Sequence, residues 1–472
     1  MPETKVKKNE DFNEWYNEIV ELAELCDKRY PIKGMNIWRP YGWSIMQNID
    51  RLIRKEMVET GHLEVYFPLL IPESLFKKEE EHIEGFSSEV FWVTHAGENP
   101  LEERWLLRPT SETAMYPIFS LWVRSHSDLP LKTFQIVNTF RYETKQTRAF
   151  IRVREIHFFE AHTCHRDFKD AERQIKEDLV IAERFFKQLS LPYILNRRPE
   201  WDKFAGAYYT ISIDVMMPSG RTLQLGSIHQ YRDNFAKPYN IRYEDIDGKH
   251  KYCHQTTYGM SERILGAIVG IHGDDRGLIL PPSITPIQVI IIPIIFKGKE
   301  EIIKNECKKV EKILKNANIR AQVDLRDITP GNKYYDWELK GVPLRIEIGP
   351  KEIENKQVMA VRRDNFEKIK VDKKTLVEEI SNILDSISSN MYKIAKDLLD
   401  KSIKKFEDID KAKEFTGIIE LPWCGNNDCA LKMEEILDVK TLGIPIEQNQ
   451  CDKTCPVCKK PAKNWVRLAK TY

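Results

Sequence analysis

Asn138-Thr139-Phe140-Arg141-Tyr142-Glu143, resumed by Phe150-Ile151-Arg152-Val153-Arg154-Glu155, is the stretch whose reading decides the fold. Thr133 to Phe140 and Ile151 to His162 read as two strands, joined by a loop crowded with charge. A lone Phe-Arg-x-Glu is common, and an exposed pair on a hairpin would explain it equally well. The segments around it decide. Upstream, Trp43 to Glu59 is predicted helical, because Ile45, Ile49, Leu52, Ile53 and Glu56 follow an amphipathic spacing. A β-like run, Glu64 to Leu70, follows and is closed by Pro72. Downstream, Tyr258-Gly259-Met260-Ser261-Glu262-Arg263 opens an apolar helix-like run to Ile271, followed by His272-Gly273-Asp274. Between the two, Asp170 to Leu189 is a further helix.

At 472 residues the chain has room for roughly three domains. An apolar fraction of 42% with 31% charged residues describes a soluble globular protein. The longest apolar run, Ile287 to Phe296, is interrupted by Pro293 and is too short to cross a bilayer, which takes about 20 residues. The opening Met1-Pro2-Glu3-Thr4-Lys5 is polar, so no leader is expected and the location expected is cytoplasmic. The 73 basic and 72 acidic residues nearly cancel, which neither demands nor excludes a nucleic acid partner. Pro281, Pro282 and Pro286 mark a linker. Beyond them the pattern is strand (Ile287 to Ile295), helix (Glu300 to Ala317), strand (Ile319 to Leu325) and a strand pair (Leu344 to Ile348, Val358 to Arg362). That alternation predicts a small α/β domain with a mixed sheet. A charged helix, about Lys373 to Lys405, leads into the tail. The expected domains are 1–282, 283–385 and 386–472.

Nine cysteines are present, and five of them lie between Cys424 and Cys458. Clustering of this kind in a cytosolic chain favours a metal over disulfides. Cys424-x4-Cys429 and Cys455-x2-Cys458 match a closed, four-coordinate structural zinc site. Cys451 is a spare that could replace a ligand.

The three ordered segments resemble motifs 1, 2 and 3 of the class II aminoacyl-tRNA synthetases. The resemblance extends to the prolyl-tRNA synthetases of the archaeal and eukaryotic kind. It rests on Arg108-Pro109-Thr110-Ser111-Glu112, on Asn138 to Glu143, on Phe159-Glu160-Ala161-His162 and on Lys340-Gly341-Val342-Pro343-Leu344-Arg345-Ile346-Glu347-Ile348-Gly349-Pro350. It covers about Trp15 to Tyr472. The fold it implies is α/β (α+β): an antiparallel-sheet catalytic domain, an α/β anticodon-binding domain and a small C-terminal zinc-binding domain.

The activity implied is ATP-dependent attachment of L-proline to tRNA(Pro). In the first step the proline carboxylate attacks the α-phosphorus of ATP. A carboxylate is already ionised at neutral pH, so positioning and charge stabilisation are needed rather than a general base. Arginine suits that task, because its charge is permanent and its fork matches phosphate. The resemblance assigns Arg141 to the α-phosphate and the proline carboxylate, and Arg263 to the far phosphates. It gives Arg152 and Glu143 an ATP contact, with Glu143 accepting from the adenine amino group, and gives Gln224 and Ser227 ribose and phosphate contacts. Mg²⁺ is expected to bridge the phosphates.

For proline itself, Glu112 is the anion for the ring ammonium, with Thr110 beside it. Glu160 and His162 share one strand face with Phe158, at period two. Relatives usually carry tryptophan at the position of Phe158. His229 and Ser261 belong to the same pocket. After His229 the run Gln230-Tyr231-Arg232-Asp233-Asn234-Phe235 is more charged than the family norm, and no role is assigned to Arg232 or Asp233. Glu338 and Arg345 hold the positions that read the two guanines of a proline anticodon. The resemblance further implies a homodimer through the catalytic domain. The stretch from Glu160 to Tyr258 is too short for the editing insertion of many bacterial relatives.

Overall fold

A computed structural model describes residues 4–77, 89–447 and 450–472, so Met1, Pro2 and Glu3 of the polar opening lie outside it. Its centre is a sheet of eleven strands. From one edge these are Leu63–Glu64, Leu131–Phe140, Glu155–His165, His254–Ser261, Thr222–Arg232, Tyr209–Met216 and Ile194–Arg197. The sheet then continues through Lys440–Pro445, Asn464–Ala469, Ile418–Trp423 and Ile403–Lys405. Pairing of Ile444 with Arg197 and of Pro445 with Asn196 therefore joins the tail to the catalytic sheet edge to edge. Apart from the two end strands, which pair in parallel, the ladder is antiparallel.

One face of this sheet is covered by helices Phe12–Leu22, Pro40–Glu59, Phe168–Gln188 and Arg263–His272. Their apolar stripes (Trp15, Ile49, Phe185 and Leu265 among them) bury against Phe159, Ala161, Ile228, Tyr258 and Met260. Because side chains alternate along a strand, the intervening Phe158, Glu160, His162, His229, Thr257 and Ser261 face the other way. That opposite face carries the site.

Several spans differ from those expected. Glu64 to Leu70 is not one strand. Leu63–Glu64 and Leu70–Pro72 belong to different sheets, and the chain between them bends. Phe67 there donates its N–H to the Gln135 side chain at 3.0 Å rather than to a strand, and Pro68 has no N–H to give. The returning strand begins at Glu155 rather than Ile151, because 148–152 form a turn in which Ile151 and Arg152 donate to the Arg148 carbonyl and Phe150 takes φ +62°. Tyr258 to Ser261 closes a strand, and the helix starts only at Arg263.

The segment after the prolines forms a mixed five-stranded sheet, ordered Ala321–Val323, Val289–Pro293, Leu344–Ile348, Gln357–Arg362, Lys368–Asp372. Its first three strands are parallel and the rest antiparallel. Lys368–Asp372, a strand that the sequence pattern did not separate, forms its edge. The helix Leu376–Lys401 runs from this domain to the tail. Among the described residues no helix is long and apolar enough to cross a membrane.

Candidate active site and metal centre

A cavity of about 340 Å³ opens on the free face of the central sheet. Every residue proposed from sequence for proline or ATP lines it: Thr110, Glu112, Arg141, Glu143, Arg152, Phe158, Glu160, His162, Gln224, Ser227, His229, Ser261 and Arg263. Gln224 and Ser227 are three apart on one strand and would ordinarily face opposite sides. They share the cavity because Gly226 pairs with Ile213 and Gln224 with Asp214, which leaves Leu225 as the extra residue of a bulge.

The cavity has an acidic end. Glu112 opens the helix Glu112–Trp122 and is only 4% exposed, so it is not a solvated first-turn charge. It accepts from the Thr110 hydroxyl and, at 3.0 Å, from Tyr231. Glu160, 3% exposed, accepts from the Ser111 hydroxyl and from Gln135 Nε2 at 2.9 Å, with His162 Nε2 3.1 Å away. Burial alone would push the Glu160 carboxyl up, but the bonds from His162, Ser111 and Gln135 outweigh it and hold the group below its usual value. His229 is pushed down to about 3, by burial first and by His162 second. It is therefore a neutral wall of the pocket, its nitrogens 2.8 Å from the Thr210 hydroxyl and 2.9 Å from that of Ser227.

The other end is basic. Arg263, at the N-terminus of its helix, donates to the carbonyls of Ile151 at 2.9 Å and Gln224 at 3.2 Å. Burial, and then the charges of Arg141 and Arg152, lower it to about 10. Arg141 donates to the Pro109 carbonyl at 3.2 Å; burial lowers it, against the pull of Glu89, Glu112 and Glu160. Arg152 pairs with Glu143 at 2.9 Å. Three guanidiniums in one cavity repel one another, and a polyanion relieves that repulsion.

Sequence reasoning missed Phe204 and Tyr231. Phe204 lines the cavity with its ring centre 4.9 Å from that of His229, and Tyr231 stacks parallel to His229. Phe204 sits in a loop with no periodicity, so no local signal flags it. Arg232 now has an account. Tyr231 is the extra residue of a second bulge, and Arg232, at φ +53°, turns away to lay its guanidinium 3.3 Å from the centre of the Tyr208 ring. Asp233 pairs with Lys237 at 2.9 Å. Neither lines the cavity.

A family model of the tRNA synthetase class II core domain (G, H, P, S and T) matches residues 91–272. An anticodon binding domain matches 288–383, and a prolyl-tRNA synthetase C-terminal region matches 406–472. The proline–tRNA ligase of Thermococcus kodakarensis is 57% identical over 481 residues, covering 100% of both chains, and that of Pyrococcus abyssi is 55% identical over 473, covering 98% of each. The chain belongs to the prolyl-tRNA synthetases. Among solved structures, the Giardia lamblia prolyl-tRNA synthetase in complex with prolyl-adenylate is similar with a TM-score of 0.96 at 35% identity, covering 100% of both chains. The Cryptosporidium parvum prolyl-tRNA synthetase complexed with halofuginone and AMPPNP has a TM-score of 0.95, also at 35% identity, covering 100% of this chain and 99% of that one.

In the anticodon domain of this synthetase, Glu338 and Arg345 are partners. Arg345 donates to Glu338 at 2.8 Å and to Glu347 at 3.0 Å, and all three side chains are largely buried. In the tail, the sulfurs of Cys424, Cys429, Cys455 and Cys458 lie within 4.8 Å of one another, and Cys451 is outside the group. Tetrahedral zinc with Zn–S of about 2.3 Å needs sulfurs about 3.8 Å apart; Cys424 and Cys458 are separated by 3.6 Å. Cys429 opens a helix, and Cys455 and Cys458 share a turn closed by Lys459 N–H to the Cys455 carbonyl at 2.9 Å. The Lys460 N–H, more than any other contact, draws the Cys458 thiol down to about 7, whereas burial first raises those of Cys424 and Cys429; the fit to a metal therefore rests on the four converging sulfurs. The donor set fits a metal.

Proposed function

We propose that this proline–tRNA ligase activates proline in the cavity between its acidic and basic ends. That bipolar cavity is the observation that carries the reading. A zwitterion set there directs its ring ammonium to Glu112 and its carboxylate to Arg141, beside Arg152 and Arg263. The carboxylate oxygen attacks the α-phosphorus of ATP, an O–P bond forms, and the bond to pyrophosphate breaks. Arg141 holds the α-phosphate and the carboxylate, and Arg263 the departing phosphates. Glu143 accepts from the adenine amino group, Arg152 contacts ATP beside it, and Gln224 and Ser227 make ribose and phosphate contacts. Phe158, His162, His229 and Phe204 wall the proline ring, while Glu160 fixes His162, and Ser261 lies at the mouth of the motif 3 helix. The prolyl-adenylate bound by the Giardia lamblia relative supports this assignment. A hydroxyl at the 3′ end of tRNA(Pro) then attacks the acyl carbon, and AMP leaves. Mg²⁺ accompanying ATP would supply neutralisation of phosphate charge.

Glu338 and Arg345 would read the anticodon guanines, the carboxylate accepting and the guanidinium donating. Zinc held by Cys424, Cys429, Cys455 and Cys458 would brace the tail, since four thiolates leave no open position for a reacting water. Residues 166–253 hold one helix, three strands of the central sheet and a two-stranded hairpin, Arg242–Glu244 with His250–Tyr252, which supports the absence of an internal editing domain. Exposed Leu63 and Tyr66 beside the motif 1 helix support a homodimer through the catalytic domain. As a translation enzyme it would act in the cytoplasm. The test of the central reading is proline-dependent exchange of pyrophosphate into ATP. Exchange driven by threonine or histidine instead, or none at all, would remove it.

A further inference from the structure

Around Glu338 and Arg345 five side chains alternate in kind. Arg345 lays its guanidinium 3.9 Å from the centre of the Tyr334 ring and donates to Glu338 Oε1. Glu338 Oε2 is 3.7 Å from Nη1 of Arg276, and the Arg276 guanidinium stands 4.4 Å from the centre of the Phe366 ring. The order is ring, cation, anion, cation, ring. Arg276 comes from the segment just after the helix Arg263–His272, and Phe366 from the turn between Gln357–Arg362 and Lys368–Asp372.

Phe366 is the odd member. Its φ is +60°, in the left-handed region that bulky side chains avoid and glycine enters freely. The turn holds that conformation because its neighbours are pinned. Arg363 donates to both Asp274 oxygens, at 2.8 and 2.6 Å, and to the Glu338 carbonyl at 3.0 Å. Asp364 accepts from Arg362 and from Asn390, both at 2.7 Å. Phe366 is half-buried and belongs to no hydrophobic cluster among the described residues; besides Arg276, its ring is met by the Arg363 guanidinium at 5.4 Å, so its contacts are with cations rather than with an apolar core.

We propose that Phe366 and Arg276 extend the Glu338–Arg345 pair into a stacking platform for an unpaired base of the tRNA anticodon loop. Bases splayed from single-stranded loops stack on aromatic rings and on guanidinium planes, and hydrogen-bond through their edges. Here two such faces flank one carboxylate acceptor. The platform rests on reading Glu338 and Arg345 as the anticodon contact.

The test uses the full-length protein and a tRNA(Pro) transcript, with the dissociation constant and the thermal midpoint measured together. Phe366→Gly relieves the backbone strain, so its midpoint should be no lower than that of the unmutated chain. Its Kd should rise by about 5- to 150-fold, the range for one stacked base. Phe366→Trp should bind tightly, and Arg276→Ala should weaken binding as Phe366→Gly does. Tight binding by Phe366→Gly, with Glu338→Ala weakened, overturns the platform and leaves the readout pair standing. If neither variant weakens binding, the readout pair falls as well. A lowered midpoint in Phe366→Gly would mean that the ring serves packing, which also overturns the platform.

Discussion

Arg141→Ala separates catalysis from stability. The side chain donates to the Pro109 carbonyl at 3.2 Å, and loss of that bond costs the fold about 1 kcal/mol. Against that, burial first and then the charge of Arg141 hold Arg263 down to about 10, so removing Arg141 relieves a repulsion. The two effects are small and opposed, and the thermal midpoint should move by no more than a few degrees, as expected for a change of about 1 kcal/mol in a chain of this size. The reaction has no such compensation. Charge gathering on the phosphoryl oxygens loses a preformed donor in a site that partly excludes water. One such donor is typically worth about 10²–10³ in kcat. Arg141→Lys keeps the charge without the fork and should fall between. The assay is pyrophosphate exchange at saturating proline and ATP. A kcat within about tenfold of the unmutated enzyme would refute the assignment, and so would a collapse of the midpoint, which would make Arg141 a structural residue.

Elemental analysis of the purified chain should find about one zinc per molecule, lost in Cys424→Ser; a metal-free chain of unchanged stability would leave only buried thiols. Alanine and cysteine are smaller than proline and are rejected only through lost contact, worth about 10–200-fold per methylene. Either should therefore drive measurable exchange, and the chain alone should not hydrolyse alanyl-tRNA(Pro); rapid deacylation would reveal an editing site. Asp178 is buried beneath the catalytic sheet, and burial pushes its carboxyl up to about 8, against the Gln174 bond at 2.9 Å. Because the folded state keeps a proton that the unfolded chain loses near pH 4, this group costs more stability as pH rises, until about pH 8. Asp178→Asn should gain on the unmutated chain by up to about 1.4 kcal/mol per pH unit across that window, read by denaturant unfolding, and a pH-independent difference would sink the idea.

What could be read from the sequence was what a local pattern encodes. Leu131–Phe140, Glu155–His165 and the helix Pro40–Glu59 announce themselves because buried positions recur along most of each, and Phe158, Glu160 and His162 follow at period two. The four tail cysteines carry their chemistry in their spacing. The features that shape the cavity have no such signature. A bulge at Leu225 turns Gln224 and Ser227 to the same side, and periodicity alone would have put one of them in the core. A second bulge at Tyr231 brings its hydroxyl to Glu112, 119 positions earlier in the chain. Glu112 enters the pocket in the sequence reading through the family resemblance, not through its local pattern, which is that of a first-turn charge; Thr110 and Tyr231 enclose it. These are register and closure events, set by which strands meet. Their energy lies in contacts between distant segments, so no window of sequence contains it. The same holds for Phe366, which reads as an ordinary turn residue until its backbone angle and its contact with Arg276 are seen together.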